Sequence, residues 1–453
     1  MAIKLSDHFT YKRLLRFSLP SMTMMVFSSI YGIVDGLFVS NFAGTTSFAA
    51  INLIMPILMI IGAFGFMMGA GGTAIVSKTL GEGQPLLAKK YFSLFVYTTA
   101  AVGITTAVLG ALFIRPLSIF LGAEGELLEC CVKYGRIVIL AMPAFMLQNL
   151  FQSFFIVAEK PKLGLFVTLL AGCANMALDA LFVVAFDMGL VGAALATSIS
   201  QAIGGLLPFI YFSSKNSSLI RLTSTKIYSR ALFDAIINGS SELMSNISAS
   251  IVTILYNYQL MKLEGENGVA AYGVIMYISF IFIAIFIGYA VSTAPIVGFN
   301  YGAKNKSELK NLLRCSAIIT VAMGAVMAIV GFAFSSPLSK IFVGYDPALS
   351  EITAKGLKIF SLSFVLSGFS IFGSSFFTAL SNGIVSALIS FLRTLVYQAI
   401  GILILPIFFE LDGIWFSMLA AEILAFSTTV IFIFALHRKY GYLTGENTAE
   451  KDC

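Results

Sequence analysis

The chain is short of charge, cysteine and histidine, and each shortage excludes a class of protein. Only 11% of its 453 residues are charged, whereas a soluble chain needs roughly 25% to cover its surface. The five cysteines show no CxxC spacing, so neither a disulfide framework nor a cysteine metal site is predicted. Both histidines, His8 and His437, lie outside the apolar stretches and supply no ligands for a metal inside a membrane. A water-soluble protein and an intramembrane metalloprotease are therefore excluded.

Hydrophobic residues are abundant instead, at 58% of the chain. A hydrocarbon core of about 30 Å takes about 20 helical residues to cross, and the runs lack the alternation of β-barrel strands. We therefore predict an all-α polytopic membrane protein with twelve transmembrane helices. The predicted spans lie near residues 14–40, 48–77, 91–114, 134–157, 163–186, 189–212, 232–260, 268–299, 312–335, 356–380, 384–408 and 413–436.

The net charge of +6 is spread through short loops and does not form the single basic face of a nucleic-acid-binding protein. With a cytoplasmic N-terminus, most lysines and arginines fall in loops on the cytoplasmic side, as the positive-inside rule requires. We expect a multi-pass protein of the cell membrane, with both termini cytoplasmic, the lipid bilayer as its surroundings and no nucleic-acid partner.

The second half of the chain resembles the first at an offset of 221 residues. The offset aligns Gly44 with Gly265 and Gly81 with Gly302, and it places six spans in each half. An even number of spans per half predicts two six-helix lobes related by a parallel pseudo-two-fold repeat. The predicted units are an N-terminal lobe (1–213), a cytoplasmic linker (214–230), a C-terminal lobe (231–437) and a cytoplasmic tail (438–453).

Two carboxylates inside the first-half spans, Asp35 and Asp179, predict a cation site. A charged group at mid-membrane costs about 2.5–3.5 kcal/mol on insertion scales, so a retained one is a functional candidate. Counted from the predicted cytoplasmic ends, both acids lie at similar depth without a basic residue beside them. Asn175, one helical turn before Asp179, adds a neutral oxygen on the same face. The alternative is structural: a carboxylate bonded to helix backbone and a polar clasp between helices.

The second half pairs its charges differently. Arg393 falls near mid-membrane, as do Glu242 and Glu422, so Arg393 is predicted to pair with one of these acids. We interpret the pair as an interhelical structural tie, with substrate or proton contact by Glu242 as the alternative. In the first span, Pro20 predicts either a static kink or a bending point that responds to the charge of Asp35.

Several segments are similar to the multidrug and toxic compound extrusion (MATE) family over nearly the whole chain. They are LPSMTMMVFSSIYGIVDGLFV, GGTAIVSKTLGEG, STAPIVGFNYGAKN, NMALDALFVVAFDMGLVGAALAT and ISFLRTL. The resemblance implies a cation-coupled exporter whose N-lobe site binds Na⁺ or H⁺. That site maps onto Asp35, Tyr134, Asn175, Asp179 and Thr197, with Asp35, Asn175 and Asp179 as Na⁺ ligands. One branch of the family carries a further acid in the tenth span, but residues 355–380 contain no Asp or Glu, so no such C-lobe site is predicted.

We therefore expect a secondary antiporter, not an enzyme, that exchanges H⁺ or Na⁺ for amphipathic, cationic organic compounds by alternating access. It would act as a monomer, with no cofactor besides the coupling ion. One rival is a lipid-linked oligosaccharide flippase, which would need several basic residues in the cavity, where only Arg393 and Arg136 qualify. An intramembrane enzyme would need a nucleophile and a base within the spans, and a channel is a third alternative.

Overall fold

The computed structural model describes residues 3–42 and 44–443, and within these ranges the regular structure is entirely helical. Short π-helical turns, Ala180–Ala185 and Leu392–Val396, extend two of the helices. The α-helices are α1 (Tyr11–Phe42), α2 (Thr45–Gly81), α3 (Pro85–Phe120), α4 (Gly125–Leu140), α5 (Met142–Val157), α6 (Pro161–Asp179), α7 (Gly189–Ser213), α8 (Ser229–Gly302), α9 (Lys306–Ala333), α10 (Ser335–Val343), α11 (Pro347–Ser361), α12 (Phe364–Ala379), α13 (Gly383–Phe391) and α14 (Tyr397–Tyr440).

Helix α8, with 74 residues, is two antiparallel helices joined at a sharp turn. Gly265 interrupts it at φ 64° and ψ −144°, a conformation that only glycine adopts at little cost. The rings of Tyr256 and Tyr272 stack with centroids 4.5 Å apart, although sixteen residues of straight helix would separate them by about 24 Å. The chain therefore reverses at Gly265.

Helix α14 is interrupted in the same way at Glu410, where φ is 48°. The Tyr397 hydroxyl lies 2.7 Å from the Thr428 hydroxyl, 31 residues along the chain. These two side chains come from either side of the turn, so the helix before Glu410 runs back along the helix after it.

Within the described ranges, eight continuous helical stretches are long and apolar enough to cross a membrane. The reversals in α8 and α14 divide two of these stretches, which gives ten spans. Two bent pairs add one span each: α4 with α5, bent by 52°, and α11 with α12, bent by 51°. The prediction of an all-α protein with twelve transmembrane helices is confirmed.

The spans form two lobes, with α1–α7 in one and α8–α14 in the other. A cluster around Phe92, Phe151 and Phe212 fills part of the first lobe, and one around Tyr256, Phe360 and Trp415 fills part of the second. A linker runs between Ser213 and Ser229, where Thr223 N–H donates to Ser93 Oγ at 2.9 Å. This bond holds the linker against the first lobe.

The lobes touch on the membrane side where α1 begins, which is the predicted cytoplasmic side. There α2 and α8 meet through glycines: a Cβ at Gly71 would overlap the backbone of Ala235, and one at Gly302 would overlap the backbone of Lys78. Nearer the opposite side, the same two helices separate to leave a cleft of about 320 Å³. The cleft is lined by Asn52, Met55, Pro56, Met59, Ile60, Asn246, Ala249 and Ser250. The lobes are thus closed on the predicted cytoplasmic side and apart on the other.

Candidate functional site

Asp35 and Asp179 come from α1 and α6, which pack directly against each other. Gly172 allows the approach: a Cβ there would lie 2.5 Å from the Phe27 ring and 2.8 Å from the Tyr31 ring. Asp179 is the last residue of α6, and the π-helical turn Ala180–Ala185 follows it. Such turns are rare and occur frequently at functional sites. Close helix packing therefore brings together two carboxylates that are 144 positions apart in the sequence.

The Asp35 carboxylate faces the side chains of Asp179, Asn175 and Thr197 closely enough to interact with each of them. No hydrogen bond within 3.5 Å joins the buried oxygens, which are Asp35 Oδ1, both carboxylate oxygens of Asp179, Asn175 Oδ1 and Thr197 Oγ1. Proximity without bonding is the expected result among the carboxylate and amide oxygens, because these atoms only accept hydrogen bonds, whereas the Thr197 hydroxyl can also donate. Leaving such groups buried and unpaired is costly, and a proton or a cation between them removes that cost.

Asp179 and Asn175 are buried, Asp35 is half-buried, and the site is not neutralised by a base. Asp179 is 0% exposed and Asn175 is 2% exposed. Among the ion pairs of the described chain, none involves Asp35 or Asp179. Two close carboxylates in a low-dielectric region repel each other, so the arrangement favours binding one positive charge. Oxygen ligands of this kind suit H⁺ or a hard cation such as Na⁺.

Tyr134 lines the site without bonding to either acid. Its side chain is 1% exposed and feels the charges of both Asp35 and Asp179, but its hydroxyl lies 4.0 Å from Met55 Sδ. The structure therefore places Tyr134 beside the carboxylates and points its hydroxyl toward α2.

Two glutamines extend this polar region and were not anticipated from the sequence. Gln201 Oε1 and Gln148 Oε1 are buried without a hydrogen-bond partner. Gln201 lies one helical turn beyond Thr197, so the i, i+4 spacing on α7 was the available signal. Gln148 faces the Tyr31 hydroxyl from α5, and no local spacing relates these two residues.

The predicted pairing in the second lobe is formed by Arg393 and Glu422. Arg393 Nη2 and Nε donate to Glu422 Oε1 at 2.7 Å and 2.9 Å. The Glu422 side chain is 0% exposed and that of Arg393 is 12% exposed. At the repeat offset of 221 residues, Glu422 corresponds to Gln201 and Arg393 corresponds to Gly172. Equivalent places in the two lobes thus carry different chemistry.

Glu242 does not pair with Arg393, whose partner is Glu422; a contact of Glu242 with substrate or protons stays a prediction. It lies on α8 one turn before Asn246, whose side-chain amide donates to the Glu242 carbonyl oxygen at 2.8 Å. Asn246 lines the cleft between α2 and α8. Glu242 therefore lies one helical turn below the cleft, toward the closed side, without a basic partner among the ion pairs of the described residues.

Pro20 lies within α1, which continues through it. Immediately after Pro20, the backbone of Ser21 and Met22 contacts α8 at Gly288, whereas Phe27 and Tyr31 contact α6 in the other lobe. Pro20 is therefore close to the point where α1, a helix of the first lobe, changes its contacts from α8 of the second lobe to α6 of the first.

Comparison with known proteins supports the fold seen here. The sequence model of the family described as MatE matches residues 20–181 and again residues 243–404. The multidrug export protein MepA of Staphylococcus haemolyticus (strain JCSC1435) is 25% identical over 436 residues, covering 95% of this chain and 94% of MepA.

Two solved structures have the same fold. A crystal structure of a MATE protein in complex with MaL6 has a TM-score of 0.90 at 22% identity, covering 97% of this chain and 98% of the other. The outward-facing conformation of a multidrug resistance MATE family transporter of the MOP superfamily has a TM-score of 0.89 at 23% identity, covering 95% of this chain and 98% of the other.

Proposed function

Since this chain belongs to the MatE family, we propose that it is a secondary multidrug efflux antiporter. It exchanges H⁺ or Na⁺ for amphipathic, cationic organic compounds by alternating access. The observation that carries the proposal is the cluster of buried, unbonded acceptor oxygens around Asp35 and Asp179. A transporter, and not an enzyme, accounts for a reversible cation site at this place.

The coupling step is the binding and release of one positive charge at Asp35 and Asp179. Asn175 and Thr197 add neutral oxygens, and Tyr134 limits the space beside them. Na⁺ would take ligands from Asp35, Asn175 and Asp179, whereas H⁺ would be shared between the two carboxylates. Both ions relieve the same repulsion, and in this mechanism the driving ion is a transported species.

Alternating access follows from how the lobes meet. The glycine contacts between α2 and α8 close the predicted cytoplasmic side, and the cleft on the opposite side gives the substrate a way out. Because α1 contacts both lobes around Pro20, rocking of the lobes has to bend α1 there. Charge neutralisation at Asp35 alters the packing of the outer half of α1 and so favours one conformation over the other.

Glu242 is the proposed substrate contact. It lies one turn below the cleft without a base beside it, so an organic cation entering the cleft would offset its charge. Arg393 is neutralised by Glu422, and the described residues that line the cleft include no lysine or arginine, whereas a pyrophosphate-carrying flippase substrate requires a basic cluster. This difference favours the multidrug exporter over the flippase.

The proposed setting is the cell membrane, with both termini cytoplasmic and a single chain as the transport unit. The orientation rests on the lysines and arginines of the loops on the side where α1 begins. Protease accessibility of tags at either terminus in inside-out and right-side-out vesicles tests it.

The experiment is dye efflux from proteoliposomes under imposed Na⁺ or pH gradients. Asp35→Asn and Asp179→Asn should each lower gradient-driven efflux by at least about tenfold, because the site then lacks a carboxylate that changes its charge. Asp187→Asn, at an exposed loop position, is the control. Glu242→Gln should weaken binding of a cationic dye and leave the dependence of efflux on the ion gradient unchanged. Undiminished efflux by both Asp35→Asn and Asp179→Asn would remove the proposal.

A further inference from the structure

The residues before α1 include side chains that are buried as completely as those of the helices. Leu5 and Phe9 are both 0% exposed, although they precede the first helix. The partner of His8 and Phe9 is Glu308, in the first turn of α9 and only 7% exposed. A buried carboxylate at the end of a helix, far from the cation site, needs an explanation of its own.

Both carboxylate oxygens of Glu308 contact residues near the start of the chain. Oε1 accepts the Phe9 backbone N–H at 3.0 Å and the Asn311 side-chain amide at 2.9 Å. Oε2 lies 2.6 Å from His8 Nδ1. The Asn311 amide also donates to the Phe9 carbonyl at 2.8 Å, so both backbone polar groups of Phe9 are bonded to α9.

Helix capping does not account for these contacts. Asn305 caps α9 by accepting the Glu308 backbone N–H at 3.1 Å, and a Glu three residues after the cap often bonds back to the N–H of the cap residue. Here the Asn305 N–H donates to the Asn300 carbonyl at 2.9 Å instead. The Glu308 carboxylate therefore does not cap α9 and instead contacts His8 Nδ1 and the Phe9 backbone N–H.

Apolar packing attaches the same segment to the second lobe. Leu5, Phe9 and the first two turns of α1 belong to a hydrophobic cluster with Leu309 and Leu312 of α9. On its other side, Leu5 N–H donates to Glu159 of the first lobe at 2.8 Å. The segment Leu5–Phe9 therefore lies where the two lobes meet, and the beginning of α1 is fixed mainly to the second.

We propose that Glu308, with Asn311, is a positioning residue for transport that anchors the beginning of α1 to the second lobe. The outer half of α1, with Asp35, packs in the first lobe. A helix held at both ends by different lobes transmits a change at Asp35 into lobe movement, whereas a helix with a loose end does not. This inference rests on the proposed function, because it concerns how α1, the helix that carries Asp35, is attached to the second lobe.

The test measures how the lobes respond to ligand. Spin labels at Lys162 in the first lobe and Arg438 in the second, both exposed on the predicted cytoplasmic side, report the distance between lobes in a background without native cysteines. A cationic dye or a change of pH or Na⁺ concentration should shift the ratio of inward-open to outward-open molecules (the inward-to-outward ratio) in the unmodified protein. Glu308→Ala should reduce that shift about tenfold and lower efflux, with dye affinity unchanged within about twofold.

Two further variants complete the test. Glu308→Gln retains an acceptor for the Phe9 N–H and should retain most of the response. Glu126→Ala, an exposed acid in the first turn of α4, should behave like the unmodified protein. A full ligand-induced shift in Glu308→Ala would overturn the anchor. Parallel loss of dye affinity and response would also overturn it, because Glu308 would then only support the fold.

Failure of the anchor is distinguishable from failure of the proposed function. Unchanged efflux in Asp35→Asn and Asp179→Asn refutes the cation mechanism, whereas the dye-induced shift in Glu308→Ala still reports whether α1 transmits lobe movement.

Discussion

The ion pair between Arg393 and Glu422 allows a quantitative test of the second lobe. Glu422→Gln removes the charge and keeps the shape. The Glu422 side chain is 0% exposed and accepts both Nε and Nη2 of Arg393 on one oxygen. The variant therefore leaves a guanidinium charge inside the membrane without a counter-charge. Breaking a buried pair in this way costs about 3–5 kcal/mol, whereas replacing both partners by apolar residues is often neutral or stabilising.

The double variant Arg393→Met/Glu422→Leu should therefore be more stable than either Glu422→Gln or Arg393→Met alone. The measurement is unfolding of the unmodified protein and these three variants, each purified, in mixed micelles with increasing SDS. The chain contains a matched control in the ion pair of Lys355 and Asp412. Lys355 Nζ lies 2.7 Å from Asp412 Oδ1, the same distance as in the buried pair, but the two side chains are 59% and 34% exposed. Asp412→Asn should cost less than about 1 kcal/mol, as surface pairs usually do.

Equal costs for Glu422→Gln and Asp412→Asn would refute the reasoning, because burial would then not set the strength of the pair. A double variant as unstable as the single ones would refute it as well. Loss of efflux in the stable double variant would show instead that the pair takes part in transport.

Two glycines test the packing that sets the conformation and the site. Gly71→Ala places a methyl group against the Ala235 backbone and should raise the ratio of inward-open to outward-open molecules about tenfold, as measured with the same spin labels. The control is Gly273→Ala, because Gly273 has open space around it. Equal distance distributions in the two variants would contradict the prediction. Gly172→Ala pushes the Phe27 and Tyr31 rings away from α6 and should weaken coupling-ion binding several-fold in calorimetry relative to Gly32→Ala, which has no neighbour within 4 Å.

The sequence was sufficient for the spans because transfer into lipid is a local property. Each residue contributes its own transfer energy, so a run of about 20 apolar residues is visible without knowledge of its neighbours. The break at Gly265 was visible for the same reason, since polar residues and glycine separate two such runs. The reversal itself, with Tyr256 stacked on Tyr272, is a contact between runs and appears only in the structure.

The candidate site was predictable in part. The cost of burying charge selected Asp35 and Asp179, and helical spacing added Asn175. Their coupling role stays a prediction. Gln148 was missed because it reaches the site from a different helix, and the Tyr134 hydroxyl direction depends on a rotamer set by packing against Met55.

The sequence by itself determined which groups lie inside the membrane, and it limited Arg393 to two acidic partners. Only the tertiary structure decided that Glu422, and not Glu242, is the partner of Arg393. It also decided that Glu308 holds His8 and Phe9 from 300 positions away. Pairing energy depends on distance and burial between specific atoms, and these quantities exist only after the helices have packed.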